Sequence, residues 1–308
     1  MNVLVTGGAG YIGSTLVPKL LKHGFRVTVI DNFRYHQTSL LEHCNNKNLE
    51  IIRGDARDER LIKHQLKTAD VIFPLACLTG APISNFDPIG AKTTNLDAVK
   101  TIVKLKSNNQ LLIFPSTQSV YGQQNQSCTE ETVPVPLSLY STLKVKAEKV
   151  ISSSQNWILL RLATVFGLSP RMRLDLLVNN FTYRALYDKF LILFEANFKR
   201  DYVYIGDASD AFIFCLKNFK KLNEEIYNIK LANVNLTKKE LCREIKKQVP
   251  DFVYLESPIG QDPDKRDYIV SSEKIENKGF KAKTSIGQGI TELVKGYQII
   301  KVDEYSNF

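Results

Sequence analysis

A doubly wound α/β fold is what this sequence predicts, on three observations. Short β-branched runs alternate with amphipathic segments up to about residue 160, the strand-like runs are almost continuously apolar, and the first of them enters a glycine turn that opens a helix, "NVLVTGGAGYIG". Apolar strands separated by helices imply a parallel sheet covered on both faces. Ligands of such sheets sit beyond the carboxyl ends of the strands.

Taken in order, "NVLVTG", "RVTVID", "LEIIRGD", "DVIFPLA", "LLIFPST" and "WILLRLATVFG" read as strands. "IGSTLVPKLLKHG", "DERLIKHQLK", "TTNLDAVKTIVKLKS" and "YSTLKVKAEKVISSS" read as the helices between and after them. Beyond residue 168 the rhythm loosens: "LDLLVNNFTYRALYD" is helical, "FLILF" and "DYVYIGD" are strands, and "ASDAFIFCLKNFKK" is a helix. "EIYNIK", the helix "TKKELCREIKKQV", the extended "DFVYLES" and a last helix "IGQGITELVKGYQII" complete the chain. The 308 residues thus divide into a Rossmann-type lobe over 1–168 and a smaller mixed α/β lobe over 169–308, with segments near 200–220 returning to the first.

Composition narrows the class. With 44% hydrophobic and 24% charged residues the chain is globular, and no run of 18 apolar residues is present to span a membrane. The amino-terminal stretch goes straight into a strand and lacks the basic and apolar regions of a signal peptide, so the expected compartment is the cytoplasm. Five cysteines without CxxC spacing or a nearby His pair argue against a disulfide framework and against a metal site. A net charge of +9 suits anionic ligands, nucleotides or nucleic acids. The lysines are scattered along helices, without the aromatic-interleaved basic block that tracks a nucleic-acid backbone, so no nucleic-acid partner is expected.

Residues 6–13, "TGGAGYIG", stand between a strand and a helix, the context that gives a glycine pattern its meaning. Gly7 permits the tight turn, Gly10 lets the backbone approach a pyrophosphate, and Gly13 allows close helix packing; Tyr11 and Ile12 lie in the same turn. The second strand ends at Asp31, followed by Asn32, where a carboxylate accepts hydrogen bonds from adenosine ribose hydroxyls and repels a 2′-phosphate. NAD is the cofactor this favours, although Arg34 nearby is of a type that serves a 2′-phosphate.

Tyr140 and Lys144 are four apart at the start of a helix and share one face. A phenol with a reference pKa near ~10 is a poor base at neutral pH, and an adjacent ammonium stabilises its phenolate. Thr117, in the polar strand end "STQSVYG", completes a candidate proton-transfer set with them.

These motifs together resemble the extended short-chain dehydrogenases/reductases that act on nucleotide-activated sugars. The resemblance spans nearly the whole chain through "TGGAGYIG", "GDARD", "PLACLTG" in place of the more usual HLAA, "STQSVYG", "YSTLK" and "RDYVYIGDASDAF". It implies that Thr117 bonds the reacting sugar hydroxyl, that Tyr140 is the base, and that Lys144 holds the nicotinamide ribose. Asp55 and Ala56 would lie near the adenine, Ala76 and Cys77 under the cofactor, and Asn95 would steady the central helix beside it. Arg200 would grip the substrate diphosphate, with Arg266 a second candidate, and Asn179 and Asn180 would touch the nucleotide-sugar. Where many members read RxxNVYG this chain has Thr164 in place of the asparagine. A homodimer is implied as well, through a four-helix bundle of "TTNLDAVKTIVKLKS" and "LYSTLKVKAEKV" with their symmetry mates.

The reaction implied is oxidation at sugar C4, and the fate of the ketone separates a 4-epimerase, a 4-dehydrogenase or 4-keto reductase, and a 4,6-dehydratase. The dehydratase branch places a carboxylate after the Ser/Thr, whereas Gln118 and Ser119 follow Thr117 here, which favours epimerase or dehydrogenase chemistry. "RLATVFGLSPRMRLDLLVNNFTYRA" is similar to a bacterial branch working on surface-polysaccharide sugars that includes GDP-heptose 4-dehydrogenases. A dinucleotide-binding sensor or scaffold without catalysis is the reading from another class, and the intact Thr117, Tyr140 and Lys144 argue against it.

Overall fold

Seven parallel strands form the central sheet: β1 (Asn2–Thr6), β2 (Arg26–Asp31), β3 (Leu49–Arg53), β4 (Val71–Pro74), β5 (Leu111–Thr117), β6 (Trp157–Leu162) and β7 (Glu225–Ile229). Their spatial order is β7-β6-β5-β4-β1-β2-β3, so the winding reverses between β1 and β4. A crevice opens at that reversal, on the carboxyl side of the strands. The structure, a computed structural model, describes residues 1–232, 234–258 and 267–300.

Alternation along β1 shows why the strand is apolar throughout. Val3 and Val5 join one core, with Leu16, Leu20 and Phe212 from the helices Gly13–Lys22 and Ile205–Lys217. Leu4 joins the opposite core, with Ile62, Ile102, Leu143 and Ala147 from the helices Glu59–Leu66, Ala98–Leu105 and Leu139–Ser152. Successive side chains point to opposite faces of a strand, and both faces here are covered.

Three departures from the expected elements bear on the site. "WILLRLATVFG" is two strands: β6 stops at Leu162, and Thr164–Phe166 turns away to pair in parallel with Lys199–Tyr204 in a separate three-stranded sheet. The helix Ile205–Lys217 packs on the first lobe's core, and beyond it the chain supplies a further strand to the central sheet, β7, which pairs with β6. The helix read across 93–107 begins instead with a π-helical turn, Thr93–Asp97, before Ala98–Leu105.

The second lobe packs around its own core, where Phe166, Val178, Tyr202, Leu241 and Ile290 meet. Parallel pairing of Val253–Ser257 with Phe190–Phe194 flanks that core. Gln123–Cys128 pairs with Asp267–Val270; its polar sequence "QQNQSC" gave no periodic signal for a strand.

A buried ion pair holds the helix Leu139–Ser152 to the sheet. Arg161 of β6 donates through Nε to Glu148 Oε1 at 3.1 Å and through Nη2 to Oε2 at 2.9 Å, with both side chains almost wholly out of water. Its Nη1 donates to the Tyr121 hydroxyl at 3.1 Å and to the Glu130 carbonyl at 3.2 Å. Every polar atom of the guanidinium is therefore occupied on the protein side, the condition under which a buried pair is tolerated. Removing one partner strands a charge. Arg161→Met is expected to lower the unfolding free energy by about 3–5 kcal/mol, and the Arg161→Met/Glu148→Leu double substitution by clearly less, as measured by urea unfolding. Equal losses for the two proteins would contradict this.

Candidate active site

The crevice is a cleft of about 300 Å³ between the first lobe and residues 168–176 of the second. Its floor is the glycine turn. Gly7 has φ of +70°, and a Cβ there would stand 2.6 Å from the Ala76 nitrogen, so the turn and the loop after β4 touch backbone to backbone. At Gly13 a Cβ would meet the Gly8 backbone at 2.6 Å, which fixes how closely the helix Gly13–Lys22 approaches. Gly10, Tyr11 and Ile12 line the cleft with Gly7 and Gly13, and the helix amino terminus opens into it with no side chain capping it. Free amides at such an end favour an anion.

Asp31 closes the adenosine side. Its Oδ2 accepts from Ala9 N at 3.0 Å, and its Oδ1 accepts from Phe33 N at 2.8 Å and from Gln37 Nε2 at 3.1 Å. Burial pushes the carboxyl up and these three donors pull it back. Asn32 lines the cleft beside it and bonds Asp55, whose carboxylate is also gripped by Arg57: Nη2 reaches Oδ2 at 2.6 Å and Nε reaches Oδ1 at 2.9 Å. The guanidinium holds Asp55 below the usual carboxylate range. Ala56 is buried at the same end, and Arg34 pairs with Asp87 at 3.7 Å. A tight turn, a helix terminus and a ribose-facing carboxylate in one cleft fit an NAD-type dinucleotide.

At the other end Thr117, Ser119, Tyr140, Lys144, Ala76 and Cys77 line the same cleft. Ser138 caps the helix Leu139–Ser152 in a reciprocal pairing with Ser141, so Tyr140 and Lys144 fall in its first two turns. Lys144 Nζ donates to the Pro115 carbonyl at 2.7 Å and sits 4.3 Å from the Phe114 ring centroid and 6.0 Å from that of Tyr140. Burial pulls its proton affinity down, while Cys77 and Glu148 push it back up. One turn further along the helix, Glu148 accepts from the Ser116 hydroxyl, so the last residues of β5 are held to this helix twice. Thr117 Oγ1 accepts from Ser119 N at 3.1 Å and shares a 2.8 Å contact with Ser119 Oγ. Thr164 lines the wall at the start of the second lobe, and its hydroxyl is buried without a hydrogen-bond partner among the described residues.

Several expected contacts lie elsewhere. Asn95 does not line the cleft; from the π-helical turn it accepts from Leu78 N at 2.8 Å and donates to Leu78 O at 2.9 Å, bracing the loop that does. Asn179 is buried below the cleft wall, accepting from Gly167 N at 2.9 Å and donating to Arg173 O at 2.9 Å and to the Tyr11 hydroxyl at 3.2 Å. Asn180 is also off the wall, on the helix Leu177–Tyr187. Arg200 is 2% exposed within Lys199–Tyr204, with its Nη1 donating to Lys199 O at 3.0 Å, and is not among the residues that line the cleft. Arg266 lies outside the described residues. Gln118 is buried facing Ile229 O, so Ser119 alone of the pair after Thr117 faces the cleft.

Two arginines that sequence reasoning passed over, Arg171 and Arg173, line it instead. Arg173 pairs with Asp175 and donates to Thr79 O at 3.3 Å. Their signal was the basic spacing "RMR" four residues after Gly167. Among the described residues no cluster of three His, Cys, Asp or Glu could hold a metal ion, and no helix is long and apolar enough to cross a membrane.

Known proteins are similar to this chain in sequence and fold. The chain is 34% identical over 229 residues to YtcB of Bacillus subtilis, an uncharacterised UDP-glucose epimerase, covering 68% of this chain and 70% of that one. It is 27% identical to UDP-glucuronic acid decarboxylase 4 of Arabidopsis thaliana, covering 97% of this chain and 69% of the relative. The fold superposes with a TM-score of 0.83 on the NAD complex of UDP-glucose 4-epimerase from Thermus thermophilus, at 26% identity over 97% of this chain and 99% of that one. Residues 3–229 match the NAD dependent epimerase/dehydratase family. The chain belongs to that family, and NAD is its cofactor.

Proposed function

We propose that this enzyme oxidises C4 of a nucleotide-activated sugar, as a 4-epimerase or 4-dehydrogenase supplying sugars for surface polysaccharides. The observation that carries the reading is the convergence of Thr117, Tyr140 and Lys144 on the end of the cleft away from Asp31, with a serine and no carboxylate beside Thr117. NAD, when bound, supplies the hydride acceptor. Tyr140 takes the C4 hydroxyl proton, and Thr117 orients that hydroxyl. Lys144 keeps the tyrosine oxygen anionic. Ser119 holds Thr117 in place and has no proton-transfer capacity of the kind needed for removal of a C5 hydrogen, which supports a reaction that ends without water elimination. Thr164 offers an unused hydroxyl to a sugar oxygen. The relatives' UDP-sugar chemistry supports a nucleotide-diphosphate sugar as substrate.

We infer a cytoplasmic homodimer. An apolar groove lined by Pro88, Ile89, Leu96, Leu139 and Leu143 lies across the helices expected to pair, and Ile89 is 77% exposed beside it. Light scattering is expected to give twice the monomer mass, and Ile89→Lys to shift the protein toward monomer. A native monomer would refute the dimer.

Incubation with NAD and a panel of nucleotide-sugars should give a 4-epimer or NADH with a 4-ketone. Tyr140→Phe is expected to reduce turnover by on the order of 10²–10⁴-fold. Water-elimination products, or full activity in that variant, would overturn the reading.

The pH profile gives an independent check. Lys144 stabilises the phenolate only while protonated, and burial sets its pKa below the ordinary ~10.4 of lysine. Its help is present below the lowered pKa and is lost as pH rises through it. Lys144→Met should therefore lack the alkaline limb of kcat/KM and show an acidic limb moved to higher pH. An unchanged profile would exclude this role.

A further inference from the structure

Tyr11 belongs to both lobes at once. Its backbone is part of the glycine turn that floors the cleft, and its ring is buried in the second lobe's core with Val178 and Tyr202. The hydroxyl at the end of that ring serves as donor and as acceptor: it donates to Gly167 O at 2.8 Å and accepts from Asn179 Nδ2 at 3.2 Å. Asn179 closes the set, accepting from Gly167 N at 2.9 Å and donating to Arg173 O at 2.9 Å. Both ends of the segment 167–173 are thereby fixed to one side chain of the glycine turn. The turn's backbone repeats the attachment, since Tyr11 O accepts from Ser169 Oγ at 2.7 Å and Ser14 Oγ lies 2.8 Å from that same serine oxygen.

The segment so held supplies the wall that faces the glycine turn, where Thr164, Val165, Arg173 and Leu176 line the cleft. Burial pushes the Tyr11 hydroxyl well above the ordinary tyrosine range and the Asn179 bond pulls it back, so it stays a neutral donor at any working pH. A phenylalanine would fill the same space but take this partner from the Gly167 carbonyl and from the Asn179 amide, in an interior where lost partners are costly. Turn and wall therefore have one favoured relative position. A ligand that orders the turn has already met part of the ordering cost of a second ligand at the wall, which makes the two bind cooperatively.

We propose that Tyr11 is a positioning residue that couples the two halves of the cleft, so that NAD on the glycine turn tightens the grip of the second-lobe wall on the nucleotide-sugar. The coupling is reciprocal, and bound nucleotide-sugar holds NAD more firmly by the same factor. The inference rests on NAD as cofactor and a nucleotide-diphosphate sugar as substrate, and goes further by naming the hydroxyl through which each site reports on the other.

Isothermal titration of UDP, GDP and dTDP into the native protein, Tyr11→Phe and Tyr297→Phe tests it, each protein freed of dinucleotide and then saturated with NAD. The quantity read is the ratio of nucleoside diphosphate affinities with and without NAD. It is expected to be on the order of 10-fold in the native protein and to fall to within about twofold of one in Tyr11→Phe. Tyr297→Phe should keep the native ratio, because the 2.8 Å bond it removes, from Tyr297 to Asn179 O, lies wholly inside the second lobe. A purely structural role for Tyr11 would lower the melting temperature of both variants and leave both ratios alone. A native ratio of one, an unchanged ratio in Tyr11→Phe, or equal losses in the two variants would overturn the proposal. Should Tyr11→Phe not fold, Asn179→Ala decides by the same ratio: collapse toward one supports the coupling and a native ratio overturns it. Failure of the native protein to bind any of the three diphosphates would instead overturn the substrate reading, and failure to bind NAD the cofactor reading, each taking the proposal with it.

Discussion

The geometry of the candidate site depends on how the carboxyl end of β5 is held against the helix Leu139–Ser152. Two bonds do this, Lys144 to the Pro115 carbonyl and Ser116 to Glu148, and the second works only because Arg161 fixes Glu148 from β6. Thr117 follows immediately, and its distance from Tyr140 is thus set by a network anchored in the sheet. The network continues through Tyr121, which donates to Asn228 Oδ1 at 2.7 Å, and Glu130, which accepts from Asn228 N at 2.8 Å. Burial pushes the Tyr121 hydroxyl up to about 12, so it stays a neutral donor throughout the working pH range. Such a chain of satisfied polar groups is rigid because leaving any member unpaired in the interior is costly.

The first lobe was legible because its signals are local. Glycines in a strand-turn-helix context, an acidic strand end, and a Tyr and Lys one helical turn apart each have a physical reason that needs only neighbouring residues. Gly7, Gly13, Asp31, Thr117, Tyr140 and Lys144 all line the cleft accordingly. Even here the polar pair after Thr117 could not be resolved from sequence. Which of Gln118 and Ser119 faces the cleft depends on the single 3₁₀ turn Gln118–Tyr121, and a turn of that length rotates side chains through large angles from one residue to the next.

The second lobe was legible in element type and poorly legible in site chemistry. Arg200, Asn179 and Asn180 were assigned by likeness of motif, which does not encode the packing that buries Arg200 and Asn179. Asn179 acts one step back, bonding the backbone at Gly167 and Arg173, the two ends of the segment that presents Arg171 and Arg173. An arginine on an irregular loop looks like surface charge in a sequence, since no periodicity states which way it points. Asn95 is a similar case: its two bonds to Leu78 shape a cofactor-side loop that it does not itself line.

The return of the chain to supply β7 has a consequence for how this molecule could have been assembled. The sheet is closed off at one side by a strand contributed between two parts of the second lobe, so neither lobe corresponds to a contiguous piece of chain. Ending the chain after residue 168 would expose β6, with Trp157, Ile158, Leu159 and Leu160 buried in the intact protein, as a bare apolar sheet margin, the kind that recruits other chains. A cut at residue 168 therefore separates β6 from β7, and the first lobe keeps its full sheet only when the chain runs on past residue 229.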